Sequence, residues 1–205
     1  MIKEICKYDY PRAVEIYLEC FTNDPLHIFA FPELNERLRL TKLIYEFIVY
    51  HLVPEMKMKI YGYFEDSEPA GVITLSPPDP DRKWNDNLQN ALDEMKVKAN
   101  NERINLIGEF ARLSGNIRLP FTYFYVNELA VSRKYRRKGI GRKLMEEVES
   151  DALKSGINYI ALDATSEDNF TLYKKWNYEL FQIYFFKELK YYKMFKNCKP
   201  EIIIK

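Results

Sequence analysis

RRKGIGRKLMEEV, residues 136–148, sets five cations and two glycines ahead of an amphipathic run. The cations could serve a nucleic-acid backbone, a nucleotide phosphate or only solvent. Between Arg133 and Lys143 seven of eleven residues are Lys or Arg and none is acidic, while Glu146, Glu147, Glu149 and Asp151 follow at once. For a helix this order is reversed. Aligned peptide dipoles place about half a positive charge at a helix N-terminus, so Arg142 and Lys143 are each unfavourable there by roughly a few tenths of a kcal/mol. Gly139 and Gly141 supply a compensating purpose. Without a Cβ they let the backbone turn tightly and let an anion approach the first N–H groups of the helix. The stretch therefore reads as a phosphate cradle at a strand-to-helix turn. Arg136, Arg137, Lys138 and Arg142 would add charge-assisted bonds, and Ile140 and Leu144 would anchor the turn on a sheet.

Other glycine-rich phosphate loops do not fit. A Walker A loop needs a glycine five residues before Gly-Lys and a hydroxyl directly after it, and neither is present. A Rossmann turn needs a third glycine where Leu144 stands. Across 205 residues, 31 Lys and Arg balance 30 Asp and Glu, so the basic run is local and no global cationic field supports nucleic-acid binding. Cys6, Cys20 and Cys198 are widely spaced and odd in number, which suggests neither a disulfide framework nor a zinc site. His27 and His51 lack metal-ligand spacing and are expected to be structural. No apolar run reaches transmembrane length and MIKEICKYDYPR lacks the apolar stretch of a signal peptide, so no membrane partner and a cytoplasmic location are expected.

Outward from the turn, the chain reads as mixed α and β. A short strand at 2–6 precedes a helix over 11–21, with Val14, Tyr17, Leu18 and Phe21 on one face and Pro11 in its first turn. TNDPL breaks that pattern, and a second helix over about 35–52 ends before Pro54. Residues 58–65 and 70–76, separated by DSEP, form an antiparallel hairpin, and PPDPD at 77–81 stops the sheet. Helical spacing over about 84–114 marks an insertion. FTYFYVNELAV at 121–131 is a long strand, followed by the basic turn and a helix to about Ser155. A strand at 158–164, a helix over 168–176 and a terminal strand pair complete one domain spanning 1–205. A strand-turn-helix-strand centre implies an α/β sheet that is in part parallel.

VNELAVSRKYRRKGIGRKLM resembles the acetyl-CoA-binding motif of the GCN5-related N-acetyltransferase (GNAT) superfamily, in which Arg or Gln, two residues, Gly, one residue and Gly or Ala form this turn. Here those positions are Arg136, Gly139 and Gly141. The resemblance implies a twisted, largely antiparallel sheet with one parallel strand pair at the cofactor site. It also implies that backbone amides of the turn, including Ile140, hold the pyrophosphate of coenzyme A, and that the strand end Leu129, Ala130 and Val131 pairs with the pantetheine arm. LDATSEDNFTLYKKWNYELF, residues 162–181, is similar to the family's next strand-helix-strand segment. There an Asn contacts the cofactor and a Tyr lies near its sulfur, positions held here by Asn169 and Tyr173. The spacing is close to puromycin N-acetyltransferase-like members. Where the family usually has Gly before an aromatic, this chain has Asn177 and Tyr178; Asn also tolerates a left-handed helix end, so the turn should survive.

The expected activity is acetyl transfer from acetyl-CoA to a primary amine of a small molecule or a peptide, by direct attack in a ternary complex and without a metal. Tyr173 is the expected general acid and the Val131 N–H the group that polarises the thioester carbonyl. Glu128, a carboxylate in an apolar strand, is the candidate base, with Asn127 or water open as substitutes. In a regular strand only one of Asn127 and Glu128 would line the acceptor site. A GNAT-fold domain that binds acyl-CoA without turnover and a basic nucleic-acid-binding module are the competing readings, and a homodimer is compatible with all of them.

Overall fold

The computed structural model describes residues 1–78 and 83–199. Seven strands form one sheet: β1 (Ile2–Glu4), β2 (Lys59–Glu65), β3 (Glu68–Ser76), β4 (Tyr123–Val131), β5 (Tyr159–Ala164), β6 (Glu179–Phe186) and β7 (Leu189–Asn197). Their order is β1-β2-β3-β4-β5-β7-β6. Every neighbouring pair is antiparallel except β4 and β5, which are parallel. The mixed, largely antiparallel sheet implied by the resemblance is thus present.

Most helices lie where the apolar spacing puts them. On one face α7 (Ile140–Lys154) buries Ile140, Leu144, Met145 and Val148 against β3, β4 and β5, and α8 (Glu167–Lys175) packs beside it. The other face carries α1 (Tyr10–Phe21), which buries Val14 and Tyr17, and α3 (Leu34–Phe47) behind it. Helix α8 ends as Asn177 was expected to allow. Asn177 takes φ 65°, its N–H donates to Lys174 O at 3.0 Å, and the Tyr178 N–H donates to Tyr173 O at 3.0 Å, a Schellman ending.

Several boundaries differ from expectation. TNDPL does not lead into loop: the Asp24 carboxylate caps the Leu26 N–H at 2.9 Å and Pro25 opens a short helix, α2 (Pro25–Ala30). The second long helix does not stop before Pro54 but widens into a π turn at Ile48–Leu52 and closes with one more turn, α4 (Val53–Glu55). A π segment is a known way of fitting a local break in the α ladder, and Pro54, which has no N–H to continue that ladder, sits just beyond it. The insertion over 84–114 is two helices, α5 (Asp86–Ala99) and α6 (Asn105–Asn116), because Asn100 adopts φ 45° and turns the chain. DSEP contributes only Asp66 and Ser67 to the β2–β3 turn, both left-handed as a two-residue hairpin requires. Of the expected PPDPD stop, positions 79–81 lie outside the described residues.

Candidate active site

The site begins where β4 and β5 part. Tyr123–Val126 pair with Tyr159–Leu162, and beyond that point β4 continues to Val131 with no partner on its β5 side. Ser132 N–H donates to Ala70 O at 3.0 Å, so alternation along the antiparallel ladder gives Ser132 and Ala130 to β3 and turns the N–H and C=O of Val131 and Leu129 toward the opening. Ala130, expected with them, offers no free backbone group, because it belongs to the β3 ladder.

The basic turn adjoins this open edge. Arg137 and Gly139 both take left-handed backbone, φ 62° and φ 75°, and α7 starts at Gly139 with no side chain capping its first N–H groups. A Cβ on Gly139 would meet no atom within 4 Å, so the space outside the turn is open. Uncapped N–H groups at the positive end of a helix, facing open space, suit an anion. The cations divide their work in a way the sequence did not disclose. Arg136 holds the turn rather than reaching outward: its Nε donates to Val131 O at 3.2 Å and its Nη2 to Cys20 Sγ at 3.4 Å. Arg142 pairs with Glu146 at 2.9 Å and Lys143 lies over the Tyr63 ring, contacts that offset their unfavourable place at a helix start. Arg137 and Lys138 are exposed.

Helix α8 closes the other side. A Cβ on Gly141 would lie 3.6 Å from Trp176, 3.8 Å from Val131 and 3.9 Å from Leu129, so the turn, the strand end and α8 converge on one groove. Tyr173 packs edge-on to Trp176 with ring centroids 5.6 Å apart, and burial pushes its phenol up to about 12, which keeps it protonated near neutral pH. Asn169 is exposed in the first turns of α8, and its Nδ2 donates to Thr165 Oγ1 at 3.4 Å.

Across the sheet, a β-bulge at Asn127 decides where the candidate base points. The β3–β4 register pairs Thr74 with Glu128 but Leu75 with Val126, leaving Asn127 as the extra residue. Before the bulge Phe124 and Val126 enter the core under α7; after it Ala130 enters the core under α1. The bulge therefore moves Glu128 onto the face of Tyr125. Asn127 and Glu128 both line one cavity, so the expectation that only one of them would do so is corrected. Burial lifts the Glu128 carboxyl from 4.5 to about 7 against the opposing hydrogen bond from Thr74. Its Oε2 is closed off and unpartnered. Tyr17 OH and Thr74 Oγ1 share a hydrogen bond at 2.5 Å.

This cavity, about 850 Å³, is bounded by α2, α3, α6 and the β4–β5 opening and is lined by Tyr45, Phe110, Tyr125 and Lys193 among others. Its floor is a buried polar cluster that sequence reasoning missed. Lys193 on β7 is 2% exposed and donates to Asp163 Oδ2 at 3.1 Å, Ser114 O at 3.2 Å and Ser114 Oγ at 3.1 Å. Tyr125 OH donates to Asp163 Oδ2 at 2.7 Å, and Ser114 also donates to Asp163. Burial lowers the Lys193 ammonium while the Asp163 charge holds it up. The cluster ties the C-terminal turn of α6 to the sheet. The available signal was a lysine flanked by Tyr192 and Met194 within an apolar strand, which period-two alternation alone does not distinguish from an exposed one. His27 also lines the cavity; burial and the Arg37 charge hold its imidazole down to about 4, so it is neutral at ordinary pH. Asp24 accepts from Thr165 Oγ1 at 2.9 Å, joining α2 to the end of β5. Among the described residues no group of three or more His, Cys, Asp or Glu could hold a metal ion, and no helix is long and apolar enough to cross a membrane.

No curated protein sequence matched the chain. Among solved structures, a Corynebacterium glutamicum protein described as histone acetyltransferase HPA2 and related acetyltransferase superposes with a TM-score of 0.70 at 18% identity, covering 98% of both chains. The PaiA N-acetyltransferase of Thermoplasma acidophilum in complex with coenzyme A gives 0.60 at 16% identity, over 96% of this chain and 98% of that one. An agmatine N-acetyltransferase variant gives 0.59 at 13% identity, over 95% and 97%. At these identities the likeness speaks to the fold. Residues 10–178 match the family model described as acetyltransferase (GNAT) family. The chain belongs to the GNAT family of acetyltransferases.

Proposed function

We propose that the chain is an acetyl-CoA-dependent N-acetyltransferase, a single domain acting in the cytoplasm without a metal, that acetylates a primary amine by direct attack with both substrates bound. One observation carries the reading: the β4 edge that β5 leaves unpaired, at Leu129 and at the Val131 N–H, lies beside the uncapped, glycine-turned start of α7. An extended arm ending in phosphates fits that combination of strand edge and anion site. The neighbour in complex with coenzyme A supports the same donor.

Acetyl-CoA would supply an activated acyl thioester. The N–H groups of Gly139, Ile140 and Gly141 would hold its pyrophosphate, with Arg137, Lys138 and Arg142 adding charge and Arg136 fixing the turn. Leu129 and Val131 would pair with the arm, the Val131 N–H polarising the carbonyl. Asn169 would contact the cofactor from α8. Tyr173 remains protonated at neutral pH and can pass a proton to the departing sulfur. Glu128, lifted to about 7, can take a proton from the acceptor's ammonium directly or through water.

A small amine is the preferred acceptor over a peptide. The cavity on the Glu128 face is walled by α2, α3 and α6, with aromatic and aliphatic lining suited to a compact ligand. The neighbour named for agmatine acetylation and the puromycin N-acetyltransferase-like spacing of the sequence agree with that class. No nucleic acid or membrane is needed. Thiol release from acetyl-CoA, measured across a panel of small amines, peptide N-termini and lysine peptides, tests this. Turnover on small amines is expected; turnover on peptides alone would overturn the acceptor class, and cofactor binding with no turnover on any amine would reduce the chain to an acyl-CoA-binding domain.

A further inference from the structure

The cavity on the Glu128 face is lined by two carboxyl groups, Asp24 and Glu128, that have no cationic partner among the described residues. Asp24 accepts from the Leu26 N–H and from Thr165 Oγ1, both uncharged donors, and Glu128 Oε2 is closed off without any partner. Burial raises both carboxyls. Buried charges are normally paired, so each acid lacks a counter-ion. The cations of the cavity lining do not supply one: Lys193 is engaged by Asp163 at 3.1 Å, and Arg118 is exposed.

A third polar group belongs with Asp24. His27, three residues further along, lines the same cavity, is 5% exposed, and has no partner at either ring nitrogen. Buried polar groups are rarely left unpaired in this way. The imidazole is neutral at ordinary pH, so one nitrogen keeps a lone pair that can accept from a ligand. Tyr45 connects this end to Glu128. Its ring stacks on His27 with centroids 6.0 Å apart, and its phenol is raised by burial and then by the Glu128 and Asp24 charges, so both acids lie within its reach. Phe21, Ile44 and Ile48 add apolar lining. Two acids on different elements, with aromatic and aliphatic surface beside them, match a methylene chain with a cation at each end.

We propose that the acceptor is an aliphatic diamine, one amine reacting beside Glu128 while the other, still an ammonium, is held by Asp24 and His27. This rests on the N-acetyltransferase reading above and narrows its acceptor class. The reacting ammonium gives one proton to Glu128. Its neutral nitrogen then forms the amide bond as the thioester C–S bond breaks, and its second proton ends on the departing sulfur, released as the thiol. The distal ammonium donates to the Asp24 carboxylate and the His27 lone pair and takes no part in the chemistry. An amino acid fits poorly, because its carboxylate would face Asp24.

Thiol release from acetyl-CoA tests this, with the α,ω-diamines of propane, butane and pentane set against monoamines and ω-amino acids of the same length. At least one diamine should exceed its matched monoamine in kcat/KM by ~10²-fold. Asp24→Asn removes the charge but keeps a good helix cap, and should bring that ratio close to one. His27→Phe keeps the ring and should lower it ~10-fold. Equal rates for diamines and monoamines, amino acids ahead of diamines, or a preference that survives Asp24→Asn would overturn the inference and leave the transferase standing. With no turnover on any amine the transferase reading falls, and calorimetry of the diamines decides the site alone: binding weakened by Asp24→Asn upholds it, while no binding, or binding indifferent to that change, overturns it.

Discussion

The two sides of β4 are built on different principles. On the α7 side the groove is made mainly of backbone: the open edge at Leu129 and Val131, the left-handed turn at Arg137 and Gly139, and the uncapped start of α7. All of it lies within residues 129–142, with α8 added from 167–175. On the α1 side the cavity is made of side chains drawn from distant stretches, among them Tyr45, Phe110, Glu128 and Lys193. A backbone device binds what is common to every reaction of its kind, whereas a side-chain cavity can be altered residue by residue without disturbing it. The separation implies that variants on one side should leave the other nearly untouched, and four substitutions test that.

The largest effect is expected at Gly139. A valine there would be forced into φ 75° and would project into the open space outside the turn. Calorimetry should show acetyl-CoA affinity lowered by ~10³-fold or more, about 4 kcal/mol, with a folded protein by circular dichroism. Next is Lys193→Met, which leaves Asp163 buried without its cation and should lower unfolding stability by about 3 kcal/mol. Under conditions where the variant stays folded, its acetyl-CoA affinity should match wild type; a parallel loss of cofactor binding would show that the two sides are not independent.

Tyr173→Phe should reduce kcat by ~10²-fold, about 2.7 kcal/mol, while changing the acetyl-CoA dissociation constant little. Equal losses in both would contradict a role in proton donation. The smallest effect is expected from Glu128→Gln, ~10-fold in kcat/KM at neutral pH. The rise in wild-type rate through about pH 7 should disappear in this variant, since that is where the Glu128 carboxyl ionises. Stability supplies a second readout with a definite sign. The folded carboxyl titrates near 7 and the unfolded one near 4.5, so burying the charge costs nothing below pH 4.5 and its full amount above pH 7. The glutamine variant should therefore gain ~3 kcal/mol over wild type between pH 4 and pH 8; a pH-independent difference would place the titration elsewhere.

How much of this was legible in the sequence follows the same division. The α7 side was readable because its signals are local: two glycines at fixed spacing, cations where a helix disfavours them, and Asn177 where a left-handed residue was needed. Even there, side-chain partners were hidden. Nothing in the spacing says that Arg136 is spent on Val131 O and Cys20, or that Arg142 pairs with Glu146. The α1 side resisted because its geometry rests on register and long-range contact. One bulge at Asn127 reverses the face of Glu128, and a bulge leaves little trace in composition. The Lys193 cluster joins β7, β5, β4 and α6, elements far apart in the chain, so no window of sequence contains it. The helix boundaries failed where a local signal has two meanings: Asp24-Pro25 ends one helix and caps the next, and Pro54 stops a regular helix but is accommodated after a π turn.

The central claim is that the open β4 edge and the start of α7 together form a site for acetyl-CoA. Titrating acetyl-CoA into the wild-type protein by calorimetry tests it most directly. The expected result is saturable binding of one molecule per chain well below millimolar concentration, lost in Gly139→Val and kept in Lys193→Met. No detectable binding at millimolar acetyl-CoA, or binding that Gly139→Val leaves intact, would contradict it.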